Sequence, residues 1–253
     1  MHKALRVLAP LAAAAVPLAV ASGPATAADS GTTYQATLNA LNHASGSGMA
    51  TVRLNGDTAT ITESWMGLAS SFNGAAYPHV QHIHIGAQGT CPTPAADKNG
   101  DGVISTTEGA GAYGGIGATL STKGDTSPAA GTNIKIAPAG SSTDYHRTIQ
   151  LDAKTVAAIK AGTGVIVVHG LDPATLSKKA QGEKSDLVPS LPLAATSPAL
   201  CGSLTAMPSG GVATGTGSTA GIEDSGLLAL AGGLFVAGAG TALYSVRRRA
   251  VKA

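Results

Sequence analysis

Charge and aromatic surface are both scarce in this chain. Of its 253 residues 12% are charged, about half of the ~25% usual in soluble domains, and 3% are aromatic. That composition excludes a charge-dense disordered tail and a solvated coiled coil. No basic cluster stands in the body of the chain, so a phosphate-reading face, and with it a nucleic-acid partner, is not expected. Cysteine occurs twice, too few for a disulfide-framework toxin or a four-cysteine zinc module. GxSxG, Walker-loop, GxGxxG and HExxH patterns are missing too, which leaves hydrolase, nucleotide-binding and zincin readings without support.

What is present divides the chain into unlike parts. Residues 1–27 read as a secretory signal: Lys3 and Arg6, an apolar run from Val7 to Ala21, and the small-residue site Ala25-Thr26-Ala27. Pro10, Pro17 and Pro24 argue against a first helix of the fold. Residues 226–246 form a second apolar run, 21 residues without a charge, long enough to span a hydrocarbon core of ~30 Å as a transmembrane helix. Arg247, Arg248, Arg249 and Lys252 follow, which assigns 247–253 to the cytoplasmic side. No LPxTG sortase motif precedes the run. Residues 208–225, including the SGGVATGTGST stretch, read as a flexible linker. The expectation is an exported protein held in the cell membrane through lipid contact of its C-terminal helix, with one domain, 28–207, outside. Six of the 16 basic residues lie in the two ends and none of the 14 acidic ones, so residues 28–225 carry a net charge of −4.

The domain reads as all-β with long loops, a Greek-key sandwich or barrel. MATVRL (49–54), Gly56-Asp57 and TATITESW (58–65) form a hairpin signal with period-2 alternation. Further strands are expected at 32–41, 79–85, 133–136, 147–151 and 164–169, and a short helix at 152–161 with Asp152 at its start. Trp65, the single tryptophan, reads as core filler.

Two motifs carry chemistry. The first is DKNGDGVISTTE, 97–108, which resembles the twelve-residue EF-hand calcium loop at each diagnostic position. Asp97, Asn99 and Asp101 offer side-chain oxygens, Val103 its backbone carbonyl, Ser105 the ninth position and Glu108 a bidentate carboxylate. Oxygens at this spacing wrap a hard cation, so calcium is expected as a cofactor. The flanks, CPTPAA and GAGAYGG, read as poor helix formers. A loop grafted on a β scaffold is therefore expected rather than a helix-loop-helix. An acidic turn without an ion is the alternative.

The second is HVQHIHI, 79–85. On a strand His82 and His84 leave from one face, ~7 Å apart along the chain, while Ile83 and Ile85 face the other way. Two such imidazoles suit copper or zinc. His79 is expected on the opposite face, and His169, ending VIVVH, is a candidate third nitrogen. Surface or hydrogen-bonded histidines are the alternative.

The order HIHIGAQGTC, VIVVHGLD, ALCG resembles the copper/zinc superoxide dismutase family. The resemblance implies that His82, His84 and His169 stand where that family has copper ligands, and that Cys91 and Cys201 stand where it has its disulfide. Two free thiols or an intermolecular bond remain the other options. GMATVRLNGDTATITESWMGL, QHIHIG and VVHG are equally similar to CHRD domains, a β-sandwich family regarded as binding or architectural. Two departures separate the chain from a working dismutase. Between Asn99 and Asp144 there is no histidine to bridge metals or bind zinc, so no zinc site is expected, and the family's catalytic arginine position holds Pro198. The functional expectation is a membrane-anchored, calcium-binding module that binds rather than catalyses. The alternative is a copper-binding, dismutase-like protein using His82, His84 and His169.

Overall fold

Alternating apolar and polar residues at the start of the domain form three long antiparallel strands, β1 (Thr32–Ala40), β2 (Ser47–Asn55) and β3 (Thr58–Met66). The computed structural model describes residues 31–208; the signal, linker, anchor and tail segments expected at 1–27, 208–225, 226–246 and 247–253 lie outside these, apart from residue 208. Among the described residues no helix is long and apolar enough to cross a membrane.

The remaining elements are a small ribbon of β4 (Ser71–Phe72) and β5 (Ala75–Ala76), then β6 (Gln81–Ile85), α1 (Thr106–Tyr113), β7 (Gly115–Thr119), β8 (Ser142–Gln150), α2 (Ala153–Lys160), β9 (Val165–His169), α3 (Lys178–Gly182), α4 (Leu193–Thr196), β10 (Pro198–Ser203) and β11 (Thr205–Ala206). The protein is mostly β. One curled antiparallel sheet, a half-barrel, runs in the order β7-β6-β9-β10-β1-β2-β3-β8, with β11 on β1.

One face of the sheet holds the main core. Leu38, Val52, Ile61, Trp65, Ile83, Ile166, Val168 and Leu200 all lie in it. Trp65 fills core as expected, and its indole N–H donates to Gln81 Oε1 at 3.0 Å. Strand β9 is buried on both faces, which is why VIVVH reads as a continuous apolar run. Ile166 and Val168 enter the main core, while Val165 and Val167 join Tyr113 and Cys201 in a second cluster on the opposite face. Glu63 is buried in the main core with both oxygens unpartnered, opposite Tyr145, whose hydroxyl is also unpartnered. Burial pushes the Glu63 carboxyl up to about 8.

Several expectations need correction. Asn133–Ile136 is not a strand: Ile134–Ile136 form a 3-10 turn started by Asn133, whose side-chain oxygen accepts from Lys135 N. The strand expected at 147–151 begins five residues earlier, because Ser142–His146 pair with β3 despite their polarity. The expected helix is present as α2, and Asp152 Oδ1 accepts from Thr155 N at 2.7 Å. The segment after Glu108, expected to be a poor helix, folds as α1. A capping box of Ser105 and Glu108 satisfies its first turn, and burial of Tyr113 offsets the cost of two internal glycines.

Candidate metal centre

Pairing of β6 with β9 builds the site. His82 lies opposite Val167 and His84 opposite Val165, and His169 follows two residues after Val167 on the same face. The three imidazoles therefore gather on the face of Val165 and Val167, opposite the main core. Their ring centroids are 5.2 to 5.7 Å apart, and each residue is 3% exposed.

Long connections cover them, and each connection supplies one carbonyl. Gly131, between β7 and β8, accepts from His82 Nε2 at 3.0 Å. Gly114, between α1 and β7, accepts from His84 Nδ1 at 2.9 Å. Thr196, between β9 and β10, accepts from His169 Nδ1 at 2.6 Å. A carbonyl oxygen only accepts, so each of these nitrogens carries the ring proton and the other keeps a lone pair. Those others are His82 Nδ1, His84 Nε2 and His169 Nε2. All three are buried without a hydrogen-bond partner, and one ring nitrogen from each residue lies within 4.8 Å of the other two.

Of the two covering glycines, Gly114 is sterically required and Gly131 is tightly packed. A Cβ on Gly114, at φ +88°, would sit 2.0 Å from Ile85 O. One on Gly131 would sit 2.4 Å from Ile116 Cδ1 and 3.3 Å from His82 Nε2.

Burial lowers the pKa of all three rings. His84 falls to about 3, with His169 as a second cause, and His169 falls to about 4. His82 is also held well below the usual histidine range by burial and then by its two neighbours. Near neutral pH the centre thus presents three neutral lone pairs to one point. Three fixed imidazole nitrogens with carbonyl-bound outer N–H groups match the needs of an imidazole-loving ion such as copper or zinc. Among the described residues this is the one group of His, Cys, Asp and Glu side chains close enough to share an ion.

The other described histidines stay apart. His79 lies on the opposite face, edge-on to Trp65, with both ring nitrogens facing the carbonyls of His169 and Ala69. His43 and His146 are exposed. Pro198, which the resemblance sets at that family's arginine position, is the register partner of His169. It is buried and carries no charge. Cys91 and Cys201 are bonded, 110 residues apart, as the resemblance implied. The bond ties the start of the 86–114 connection to β10.

The 97–108 loop is arranged differently. Asp97 accepts from Gly100 N and Gly102 N, Asp101 from Val103 N and the Asn99 side chain, and Asn99 Oδ1 from Asp101 N. Glu108 accepts from Lys98 N, Asn99 N and Ser105 N. The calcium ligands read from the sequence are therefore in one loop, with their carboxylates turned onto its own backbone. Sequence reading missed two acids that fold beside it. Asp186 accepts from Thr107 N at 2.9 Å. Glu183 has its carboxyl raised by a hydrogen bond with Asp101, then by burial and by the Asp101 charge. It also missed the three carbonyls and Tyr113 around the histidines. Nothing in the sequence marks the carbonyls, since any residue has one.

No protein-family model matches the chain, and no curated protein matches it.

Proposed function

We propose that this chain is an exported β domain that binds a copper ion on His82, His84 and His169, and that it holds the ion rather than turning over a substrate. One observation carries the reading: three buried ring nitrogens face one another without partners while their sister nitrogens are each fixed by a backbone carbonyl. Leaving three buried acceptors unmade costs about 1–3 kcal/mol apiece, a cost that a bound ion removes. When bound, copper supplies a redox-active centre. The chain's own residues hold the rings neutral, exclude water and set ring orientation. Binding without turnover is favoured by the burial of all three donor atoms and by the neutral Pro198 beside His169, which offers no guide for an anion. This reading takes the curled sheet as a superoxide dismutase-like or CHRD-like Greek-key plan. The secretory and membrane-anchor assignments rest on the sequence of the two ends.

A second site is proposed at 97–108 for calcium. Its support is the ligand spacing, together with the raised carboxyl of Glu183 against Asp101. Glu183, whose carboxyl is raised first by its hydrogen bond with Asp101, stands beside the ligand set, where a hard cation would relieve the crowding of the two acids.

The test is metal analysis and copper titration of the purified full-length chain, with a superoxide assay alongside. One copper per chain and superoxide turnover at background are expected. Failure to take up copper would refute the first reading. A rate near the diffusion ceiling of ~10⁹ M⁻¹s⁻¹ would refute the claim of binding without catalysis.

A further inference from the structure

Helix α1 touches the histidine centre at both of its ends. At its start Thr106 Oγ1 donates to Thr196 O at 2.6 Å. The same oxygen accepts from His169 Nδ1, so its two lone pairs are shared between the helix and the ring. At its far end the Tyr113 ring stands edge-on to His84 with centroids 4.6 Å apart. The next residue, Gly114, supplies the carbonyl that holds His84 Nδ1. The two ends are joined through one side chain, because the Tyr113 hydroxyl donates to Thr106 O at 3.0 Å. The helix is in turn fixed at its first turn by Ser105 and Glu108, whose carboxylate also holds Lys98 N. Two of the three histidines are thus oriented through one eight-residue element, and that element begins inside the acidic loop.

We propose that Thr106 and Tyr113 are positioning residues of the histidine centre, acting through α1, so that the order of residues 97–113 regulates how tightly the centre holds its metal. The inference rests on the metal-binding reading above. It needs no ion in the acidic loop. The physical reason is that a ring held by a directed carbonyl keeps its lone pair aimed at the shared point. Freeing the carbonyl lets the ring turn, and outer partners of this kind govern about 10- to 100-fold in metal affinity. Linkage makes the effect reciprocal: a metal that favours the aligned rings must also favour the ordered helix, by the same factor.

The experiment uses the full-length chain with Cu(II) as the probe. Competition against a chelator gives affinity, electron paramagnetic resonance gives ligand geometry, and hydrogen exchange follows the α1 amides. Thr106→Val, which keeps the shape and removes the donor, is expected to weaken copper about 10-fold and alter the resonance spectrum. Thr106→Ser is expected to restore both, and Tyr113→Phe to give a smaller loss. In the unsubstituted protein, copper is expected to slow exchange across α1, a measurement that needs no variant to fold. Copper bound by the unsubstituted chain with equal affinity and spectrum in Thr106→Val, or with α1 exchange unmoved, overturns the inference alone. No copper uptake by the unsubstituted chain overturns the metal reading and this inference with it.

Discussion

The histidine centre and the acidic loop are joined by one helix yet solve opposite electrostatic problems. In the centre, three donor atoms have no hydrogen bond and face one another. In the loop, all six carboxylate oxygens of Asp97, Asp101 and Glu108 already accept, all but one of them from the loop's own backbone N–H groups. The difference follows from charge. Neutral imidazole lone pairs can be stored close together at a bearable desolvation cost, whereas three carboxylates held so close and unsatisfied would repel strongly. The centre could therefore take an ion as it stands, whereas the loop would have to exchange internal hydrogen bonds for ion contacts.

The largest expected effect comes from what both regions share. The Cys91–Cys201 bond anchors the connection that carries the loop and α1 to β10, which lies beside β9 in the sheet. In the chain-entropy model a closed loop of this length stabilises by about 4–5 kcal/mol. Replacing both cysteines with serine should lower unfolding free energy by that order in a denaturant titration. A midpoint unchanged within error would remove the anchoring argument.

Next is the contrast itself. His82→Ala should weaken copper by about 100-fold or more, at or beyond the upper end seen for outer partners, because it removes a donor outright. Glu108→Gln should leave the three copper donors in place and cost at most the smaller, indirect loss expected through α1. Equal losses in the two variants would erase the distinction between the regions.

Protonation sharpens the comparison from a third place, the buried acid in the main core. The folded Glu63 carboxyl titrates near 8, against about 4.3 when exposed, so over that window the folded state keeps a proton that the unfolded state has released. Stability should fall as pH rises between those values, by on the order of 1 kcal/mol per pH unit where the slope is steepest. The histidines act in the other direction. His84 near 3 and His169 near 4 bind fewer protons folded than unfolded, so stability should fall as pH drops from about 6.5 toward 4. Thermal melts across pH 4 to 9 should show both limbs, with the alkaline one flattened in Glu63→Gln. An alkaline limb that survives this substitution would mean another group drives it.

The smallest expected effect is calcium at the loop. Saturating Ca²⁺ should raise the melting temperature by a few degrees, roughly 2–4 °C per kcal/mol for a domain of this size, and a chelator should reverse it. A flat calorimetric titration with an unmoved melt would leave the loop as a self-satisfied acidic turn.

Period-2 alternation alone determined β2, β3 and the hairpin between them, because a half-buried antiparallel strand writes its pattern into neighbouring residues. His82-Ile83-His84 likewise put two imidazoles on one strand face before any fold was known, and Asp152 marked the start of α2. Local polarity misled at Ser142–His146 and at GAGAYGG. There strand pairing with β3 and burial of Tyr113 decided the outcome, and neither is a local property. The VIVVH strand offered His169 as a candidate, and the resemblance of HIHIG, VVH and ALCG to known families pointed to it again and to the cysteine bond, which the residues by themselves left open. Only the tertiary structure decided that the histidines form a centre. The carbonyls that fix them come from residues 49, 30 and 27 positions away. A backbone oxygen has no sequence signature, so which lone pairs remain free is settled by packing alone.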